Sequence, residues 1–209
     1  MKVSVTILKY KETRRKTIEE LENTDADFIH VDVMDGKFVP PVEVPLHEIN
    51  ELFIGTRKPL DIHLMCEEPR EYIDSFKNFA NARIITVHAE IQNPEYYIDY
   101  IHENNMMAGI AISPKTSVSS IMNYLDKVDY VLIMGVHPGY GGQKMIPETT
   151  SKINELKNLR ETNDYHYLIS LDGGINEETR PLLDGLDVMA VGSFITMSDD
   201  FQKNIDEIR

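Results

Sequence analysis

The sequence contains one cysteine and no tryptophan, and its basic side chains are outnumbered by acidic ones. Since Cys66 has no second cysteine to pair with, an intrachain disulfide is excluded and nothing argues for export. Lys and Arg number 21 against 35 Asp and Glu, which gives a formal net charge of −14. Nucleic-acid binding depends largely on cations that neutralise phosphates, so we expect no nucleic-acid partner. An anionic substrate would need a locally built site, from backbone N–H groups or a metal ion.

Long hydrophobic runs are also missing. The apolar run from Val3 to Leu8 is too short for a signal-peptide core and is followed by charged residues. No stretch approaches the length of a transmembrane helix, so we expect a cytoplasmic protein without a membrane partner. The composition, 42% hydrophobic and 27% charged, is typical of a globular protein. With no linker or low-complexity segment, residues 1–209 are expected to form a single domain.

Short β-rich apolar runs alternate with longer amphipathic stretches along the chain. Strands are predicted at 2–8, 27–33, 59–65, 82–88, 107–113, 128–134, 165–171 and 187–192. Helices are predicted between them, for example at 14–22, 68–79, 94–103, 118–125, 148–160 and 177–183. Eight such units predict an α/β fold, a (β/α)8 TIM barrel. The competing open, doubly wound sheet predicts a glycine-rich turn after the first strand, where the chain instead reads Lys-Tyr-Lys-Glu.

Polar side chains gather at the carboxyl ends of the predicted strands, where barrel enzymes build their active sites. His30 and Asp32 share one face of the second strand, His63 ends the third, and Asp172 follows the seventh. Closure of a barrel would bring these four residues together. Two imidazoles and two carboxylates suit a divalent transition metal such as Zn, Fe(II), Mn or Co. His88, with Glu90 two residues beyond it, ends the fourth strand.

Methionines and glycines accompany these strand ends. Met34, Met65 and Met134 suit either gap-filling in a core or an apolar wall around a reactive intermediate. Glycine-rich segments follow strands six, seven and eight, at 138–143, 172–174 and 191–193. Because glycine lets backbone N–H groups approach a ligand closely, and barrels of this kind often bind phosphate after strands seven and eight, the segments indicate a phosphorylated substrate.

Five segments together resemble the ribulose-phosphate 3-epimerase family. They read HVDVMDGKFVP at 30–40, DIHLM at 61–65, MGVHPGYGGQ at 134–143, LDGGI at 171–175 and VGS at 191–193. The match is collinear over most of the chain, from about residue 27 to residue 195. The resemblance implies a carbohydrate isomerase that interconverts D-ribulose 5-phosphate and D-xylulose 5-phosphate in the pentose phosphate pathway. It also implies one divalent metal ion and a homo-oligomer.

The resemblance further implies roles for individual residues. It makes His30, Asp32, His63 and Asp172 the metal ligands. Asp32 and Asp172 become the acid–base pair, with Asp32 the base toward D-ribulose 5-phosphate, acting through a metal-stabilised enediolate. The expected substrate and phosphate contacts are Thr6, Met34, His63, Met65, Met134, Gly139, Gly141, Gly142, Gly173, Gly174, Gly192 and Ser193.

Departures from the family pattern lie around the expected substrate mouth, so they bear on the substrate more than on the reaction. They are Thr6 in place of a serine, the pair Lys9 and Tyr10, Gly135, His137 and the segment Pro41–Val44. A 3-epimerase of another ketose phosphate, such as D-allulose 6-phosphate, therefore remains an alternative, as does a non-catalytic sugar-phosphate-binding barrel. A metal-free decarboxylase or aldolase-type barrel is disfavoured, because the ends of strands two and three lack a lysine interleaved with the aspartates.

Overall fold

A computed structural model describes residues 1–8 and 13–209, so the predicted departures at Lys9 and Tyr10 lie outside the described residues. β-Branched and other apolar residues fill the strands, as expected where both faces of a strand are buried. The strands are β1 Lys2–Thr6, β2 Phe28–Asp35, β3 Val42–Glu43, β4 Leu60–Met65, β5 Ala82–His88, β6 Met107–Ile112, β7 Tyr130–Met134, β8 Leu168–Asp172 and β9 Val188–Val191.

Helices follow most strands and cover the outside of the sheet. The α-helices are α1 Arg14–Leu21, α2 Leu46–Phe53, α3 Arg70–Phe76, α4 Pro94–Glu103, α5 Ser151–Asn163, α6 Ser193–Thr196 and α7 Phe201–Ile208. Within residues 1–8 and 13–209, 3-10 helices span Val118–Tyr124, Pro147–Thr150 and Arg180–Leu182. Across the described ranges 1–8 and 13–209, no helix is both long enough and apolar enough to cross a membrane.

The sheet closes into a barrel because β1 pairs in parallel with both β2 and β9. The eight long strands are all parallel, and the short β3 adds an antiparallel pairing to the end of β2. The predicted (β/α)8 barrel is therefore confirmed, and the open doubly wound sheet is excluded. One apolar core lies between the strands and the helices, and a smaller cluster around Tyr130, Leu132 and Met134 lies on the opposite, inward face of the strands.

Two predicted helices take other forms. Residues 118–124 form a 3-10 helix, because its serines compete with the helical backbone: Ser120 donates its hydroxyl to the carbonyl of Ser117. The predicted helix at 177–183 reduces to Arg180–Leu182, since Pro181 lacks the N–H that a longer helix requires. Strand ends differ from the prediction by at most three residues, and β5 matches it at both ends. The prediction gave no bounds for α2, α6 or α7, and it did not include β3.

Strand register places the polar residues level with one another at one end of the barrel. Asp32 on β2 pairs with His63 on β4, and Asp172 on β8 pairs with Met134 on β7. Thr6 on β1 lies beside His30 on β2. Side chains on neighbouring parallel strands at the same level point the same way, so these residues converge inside the rim of the barrel.

Candidate active site

A cavity of about 940 Å³ opens at the carboxyl ends of the strands. Asp32 and Asp172 line it, and so does every predicted substrate or phosphate contact except His63, which is fully buried. Those lining residues are Thr6, Met34, Met65, Met134, Gly139, Gly141, Gly142, Gly173, Gly174, Gly192 and Ser193. The three methionines are at most 2% exposed and form apolar surface beside the carboxylates. Besides Thr6, three of the predicted departures line the cavity, namely Pro41, Glu43 and His137.

The four predicted metal ligands form one cluster. Each of His30, Asp32, His63 and Asp172 offers one donor atom, and these atoms lie within 4.8 Å of one another. Both histidines are fully buried and Asp32 is 4% exposed. Buried charges of this kind are costly unless they are paired or coordinate a metal. The cluster has the ligand types and the spacing that a divalent cation needs.

His30 supplies a direct test of whether a cation fits. Its Nδ1 donates to Oδ2 of Asp61 at 2.9 Å, which turns Nε2 toward the cluster. The buried Nε2 has no hydrogen-bond partner among the residues that the structure describes and lies 3.4 Å from Oδ1 of Asp32. Burial lowers the pKa of His30, but the carboxylates of Asp32 and Asp61 outweigh it and raise that pKa well above its usual range. This excess of negative charge is what a divalent cation would neutralise, so the residues fit a metal ion.

Two side chains lie against the carboxylate oxygens of Asp32. The Thr6 hydroxyl donates to Oδ2 at 2.6 Å, and Nδ1 of His63 lies 3.1 Å from Oδ1. Burial alone would raise the pKa of Asp32, but the positive charge of His30 and the hydrogen bonds lower it far below the usual range. Burial lowers the pKa of His63 to about 4. Asp32 is therefore ionised and His63 neutral at pH 7.

Asp172 has the opposite character. Burial, reinforced by the negative charge of Asp32, raises the pKa of Asp172 to about 7. One carboxyl group of the pair therefore favours the ionised form while the other retains a proton near neutral pH. Two neighbouring carboxyl groups whose environments separate their pKa values are a recurring arrangement for acid–base chemistry.

The buried hydrogen bonds around Asp61, next to the cluster, were not predicted. Asp61, fully buried, accepts hydrogen bonds from the hydroxyl of Ser4 at 2.8 Å and that of Tyr130 at 3.2 Å, in addition to His30. These contacts hold the carboxylate that orients His30. The sequence does show that Asp61 and His63 share one face of a strand, but pairing Asp61 with His30 depends on the register of β2 and β4.

Comparison with known proteins agrees with this geometry. A model of the ribulose-phosphate 3-epimerase family matches residues 2–196. The ribulose-phosphate 3-epimerase of Bacillus subtilis is 41% identical over 196 residues, covering 92% of this chain and 90% of the relative. That of Methanocaldococcus jannaschii is 37% identical over 199 residues, covering 93% and 83%. The solved 3-hexulose-6-phosphate synthase of Salmonella typhimurium superposes with a TM-score of 0.69 at 17% identity, covering 100% of this chain and 96% of that one, and so shares the fold.

Proposed function

Because this chain belongs to the ribulose-phosphate 3-epimerase family and is therefore a sugar-phosphate epimerase, we propose that it interconverts D-ribulose 5-phosphate and D-xylulose 5-phosphate. The observation that carries the proposal is the pair Asp32 and Asp172, whose carboxyl groups lie in one cluster with opposite pKa shifts. Inverting a carbon centre requires that a proton leave one face and that another arrive on the opposite face. Two carboxyl groups, one ionised and one protonated, match that requirement.

In the proposed reaction, Asp32 removes the proton from C3 of D-ribulose 5-phosphate. The C2 ketone acidifies this proton, and its removal gives an enediolate. Asp172 then delivers its proton to the opposite face of C3, which forms D-xylulose 5-phosphate. Thr6 supports Asp32 in this role, since its hydroxyl donates a hydrogen bond to Oδ2, while Oδ1 faces Nδ1 of His63.

His30, Asp32, His63 and Asp172 would hold one divalent cation, for which Zn, Fe(II), Mn and Co are the candidates. When bound, such a cation supplies positive charge that stabilises the enediolate. The buried methionines Met34, Met65 and Met134 exclude water from the same space. Low local water content strengthens every electrostatic interaction around the reacting atoms.

Backbone groups of the loops after β7, β8 and β9 are proposed to bind the substrate phosphate. Gly141, Gly142, Gly174, Gly192 and Ser193 line the same cavity as the two aspartates. A strongly acidic chain needs such local donors to hold a dianion. The loops after β7 and β8 pack directly against each other at this place, because a Cβ on Gly174 would lie 2.3 Å from the backbone nitrogen of Met145.

Substrate preference tests the proposal. Purified protein loaded with each candidate metal is incubated separately with D-ribulose 5-phosphate and D-allulose 6-phosphate, and product is followed by proton NMR. We expect the higher kcat/KM with D-ribulose 5-phosphate and loss of turnover with a chelator. A higher kcat/KM with D-allulose 6-phosphate would move the substrate to the hexulose. Absence of turnover with both would favour a sugar-phosphate-binding protein.

The two-carboxylate assignment has its own test. Asp32→Asn and Asp172→Asn preserve volume and remove basicity, so each is expected to reduce epimerisation by at least about a thousandfold. Circular dichroism and the zinc content of each variant separate lost chemistry from lost structure or metal. Turnover near that of the unaltered protein in either variant would contradict the mechanism.

A further inference from the structure

A chain of buried side chains leads away from the cluster through the ring of His63. Nε2 of His63 lies 2.8 Å from Nε2 of His88, and Nδ1 of His88 lies 2.9 Å from Oε2 of Glu90. Both rings are fully buried, and their centroids are 5.0 Å apart. Neither His88 nor Glu90 takes part in the proposed chemistry. Their contacts nevertheless bear on which nitrogen of His63 carries a proton.

Glu90 sets the direction of these hydrogen bonds, because a carboxylate can only accept them. Its other oxygen, Oε1, accepts from the backbone N–H of Ser113 at 2.8 Å and from the Thr116 hydroxyl. Burial raises the pKa of Glu90, but the hydrogen bonds from His88, Thr116 and Ser113 outweigh it and lower that pKa to about 2. An ionised carboxylate at this place requires the N–H of His88 on Nδ1.

The proton positions on His88 and His63 follow from the rule that each hydrogen bond needs one donor and one acceptor. With its proton on Nδ1, His88 presents a lone pair at Nε2. Two lone pairs 2.8 Å apart repel, so His63 must donate its proton from Nε2. Its Nδ1 then presents a lone pair toward Asp32 and the remaining ligands, which is the form that a metal binds.

The partners of Glu90 are themselves fixed. Nζ of Lys152, which is 8% exposed, donates to the backbone carbonyls of Ser113, Pro114 and Thr116 at 2.7–3.0 Å. The loop that donates to Glu90 is therefore anchored to α5. This anchoring keeps the Ser113 N–H directed at Oε1 of Glu90.

We propose that His88 and Glu90 are positioning residues that fix the tautomer and the ring orientation of His63, so that its Nδ1 is free to bind the divalent cation. The inference rests on the proposed metal centre and adds two residues beyond the four ligands. It concerns the affinity for the metal, and it does not depend on which ketose phosphate is the substrate.

Glu90→Gln gives the sharpest test, because it should reverse the direction of the hydrogen bonds from Glu90 through His88 to His63. The Ser113 N–H can only donate, so the glutamine amide oxygen occupies the place of Oε1 and the NH₂ group faces Nδ1 of His88. His88 must then carry its proton on Nε2, and His63 must accept it there. The proton of His63 moves to Nδ1, the atom that would bind the metal. We expect zinc affinity to fall about 10- to 100-fold, the range typical for loss of such outer partners.

Substitutions at His88 separate hydrogen bonding from packing. His88→Phe keeps a ring beside Phe38 but removes the acceptor, so zinc affinity should fall by a similar factor. His88→Gln can place its carbonyl on His63 and its NH₂ on Glu90, so affinity should stay within about threefold of the unaltered protein. A role in folding alone would not discriminate between these two variants in this way.

Asp129→Asn is the matched control for Glu90→Gln. The Asp129 carboxylate also pairs with a histidine, His102, at 2.8 Å and also accepts a backbone N–H, that of Ala108 at 2.9 Å, but it lies on the outside of the barrel. Affinity is measured by competition of zinc between each metal-free protein and a chromogenic chelator. Nitrogen NMR of the ¹⁵N-histidine-labelled, zinc-loaded protein identifies the protonated nitrogen of His63, expected to be Nε2.

The outcomes distinguish the inference from the proposed function. Weaker zinc binding in Glu90→Gln and His88→Phe, with Asp129→Asn and His88→Gln near the unaltered protein, supports the inference. Equal affinity in all variants, or a proton on Nδ1 of His63 in the zinc-loaded protein, overturns it and leaves the metal centre in place. Failure of the unaltered protein to bind zinc, cobalt or manganese overturns both.

Discussion

The hydroxyl of Thr6 donates a 2.6 Å hydrogen bond to Oδ2 of Asp32, across the seam where β1 meets β2. Thr6 stands where the family pattern has a serine, and the structure shows that the hydroxyl still reaches the carboxylate. The bond holds Oδ2 in place, while Oδ1 faces Nδ1 of His63 at 3.1 Å, inside the cluster of predicted metal ligands. A base that is already oriented loses less entropy when it reacts.

Removal of this hydroxyl should therefore impair catalysis. Thr6→Val preserves the shape and loses a hydrogen bond to a charged group, an interaction that contributes about 1.5–3 kcal/mol. We expect kcat/KM to fall about 10- to 100-fold, whereas Thr6→Ser stays within about threefold. Steady-state kinetics measure both variants, and equal activity of Thr6→Val and the unaltered protein would show that the bond does not matter for Asp32.

Protonation of Asp172 predicts an effect on stability in the metal-free protein. Its pKa of about 7 lies above the value of about 3.9 for an unfolded aspartate, so the folded protein loses stability as the pH rises from about 4 through 7. Asp172→Asn cannot ionise and avoids this loss. Urea unfolding should show the metal-free variant more stable than the unaltered protein by about 1–4 kcal/mol at pH 8.

At pH 4 the same comparison should show little difference, because the aspartate is then protonated in the folded protein. A stability difference that is the same at pH 4 and pH 8 would contradict the raised pKa of Asp172.

Two glycines with the same backbone angle should respond differently to alanine. Gly174 has φ +73 and no room for a Cβ beside Met145, whereas Gly142 has φ +74 and nothing within 4 Å of that position among the described residues. Both substitutions carry the cost of left-handed backbone, about 1 kcal/mol. Gly174→Ala also forces the loops after β7 and β8 apart, which should cost about 1–3 kcal/mol more and raise KM for the phosphorylated substrate.

Urea unfolding and steady-state kinetics of both variants check this prediction, with Gly142→Ala as the control for backbone strain. Equal losses of stability in the two variants would show that the contact between a Cβ at position 174 and Met145 does not destabilise the protein.

Metal removal should lower thermal stability reversibly. A cation that binds the folded protein at 100 times its Kd adds about 2.7 kcal/mol of stability. For a chain of this length, that corresponds to a rise in Tm of about 5–10 °C. Differential scanning calorimetry with a chelator, and again after zinc is restored, should show this difference. An identical Tm in both conditions would mean that His30, Asp32, His63 and Asp172 hold no ion.

The fold was predictable because the strands are near-continuous apolar runs and the connections are amphipathic. Two predicted helices were wrong for local reasons. Pro181 shortens the helix predicted at 177–183, and the serines at 117–120 favour a 3-10 helix where an α-helix was predicted. The bounds of α2 were not predicted although Ile49, Leu52 and Phe53 are buried at helical spacing, since the helix begins directly after Pro45 in a proline-rich stretch.

The site was predictable only in part. Period-two alternation placed His30 beside Asp32 on one face and Asp61 beside His63 on another. The hydrogen bonds between strands required the register, which no single segment encodes: His30 to Asp61, Thr6 to Asp32, and His63 to His88. His88 and Glu90 were visible as polar residues at a strand end, but their relation to His63 appears only once β4 and β5 are paired.

The origin of the C3 proton in the product distinguishes proton transfer through two carboxyl groups from transfer through one. The protein converts D-ribulose 5-phosphate in deuterated water, and early product and remaining substrate are analysed by NMR and mass spectrometry. With Asp32 as the base and Asp172 as a separate acid, the first D-xylulose 5-phosphate formed should carry one solvent deuteron at C3, while unreacted substrate keeps its proton. Product that retains the original C3 proton would contradict the two-carboxylate mechanism.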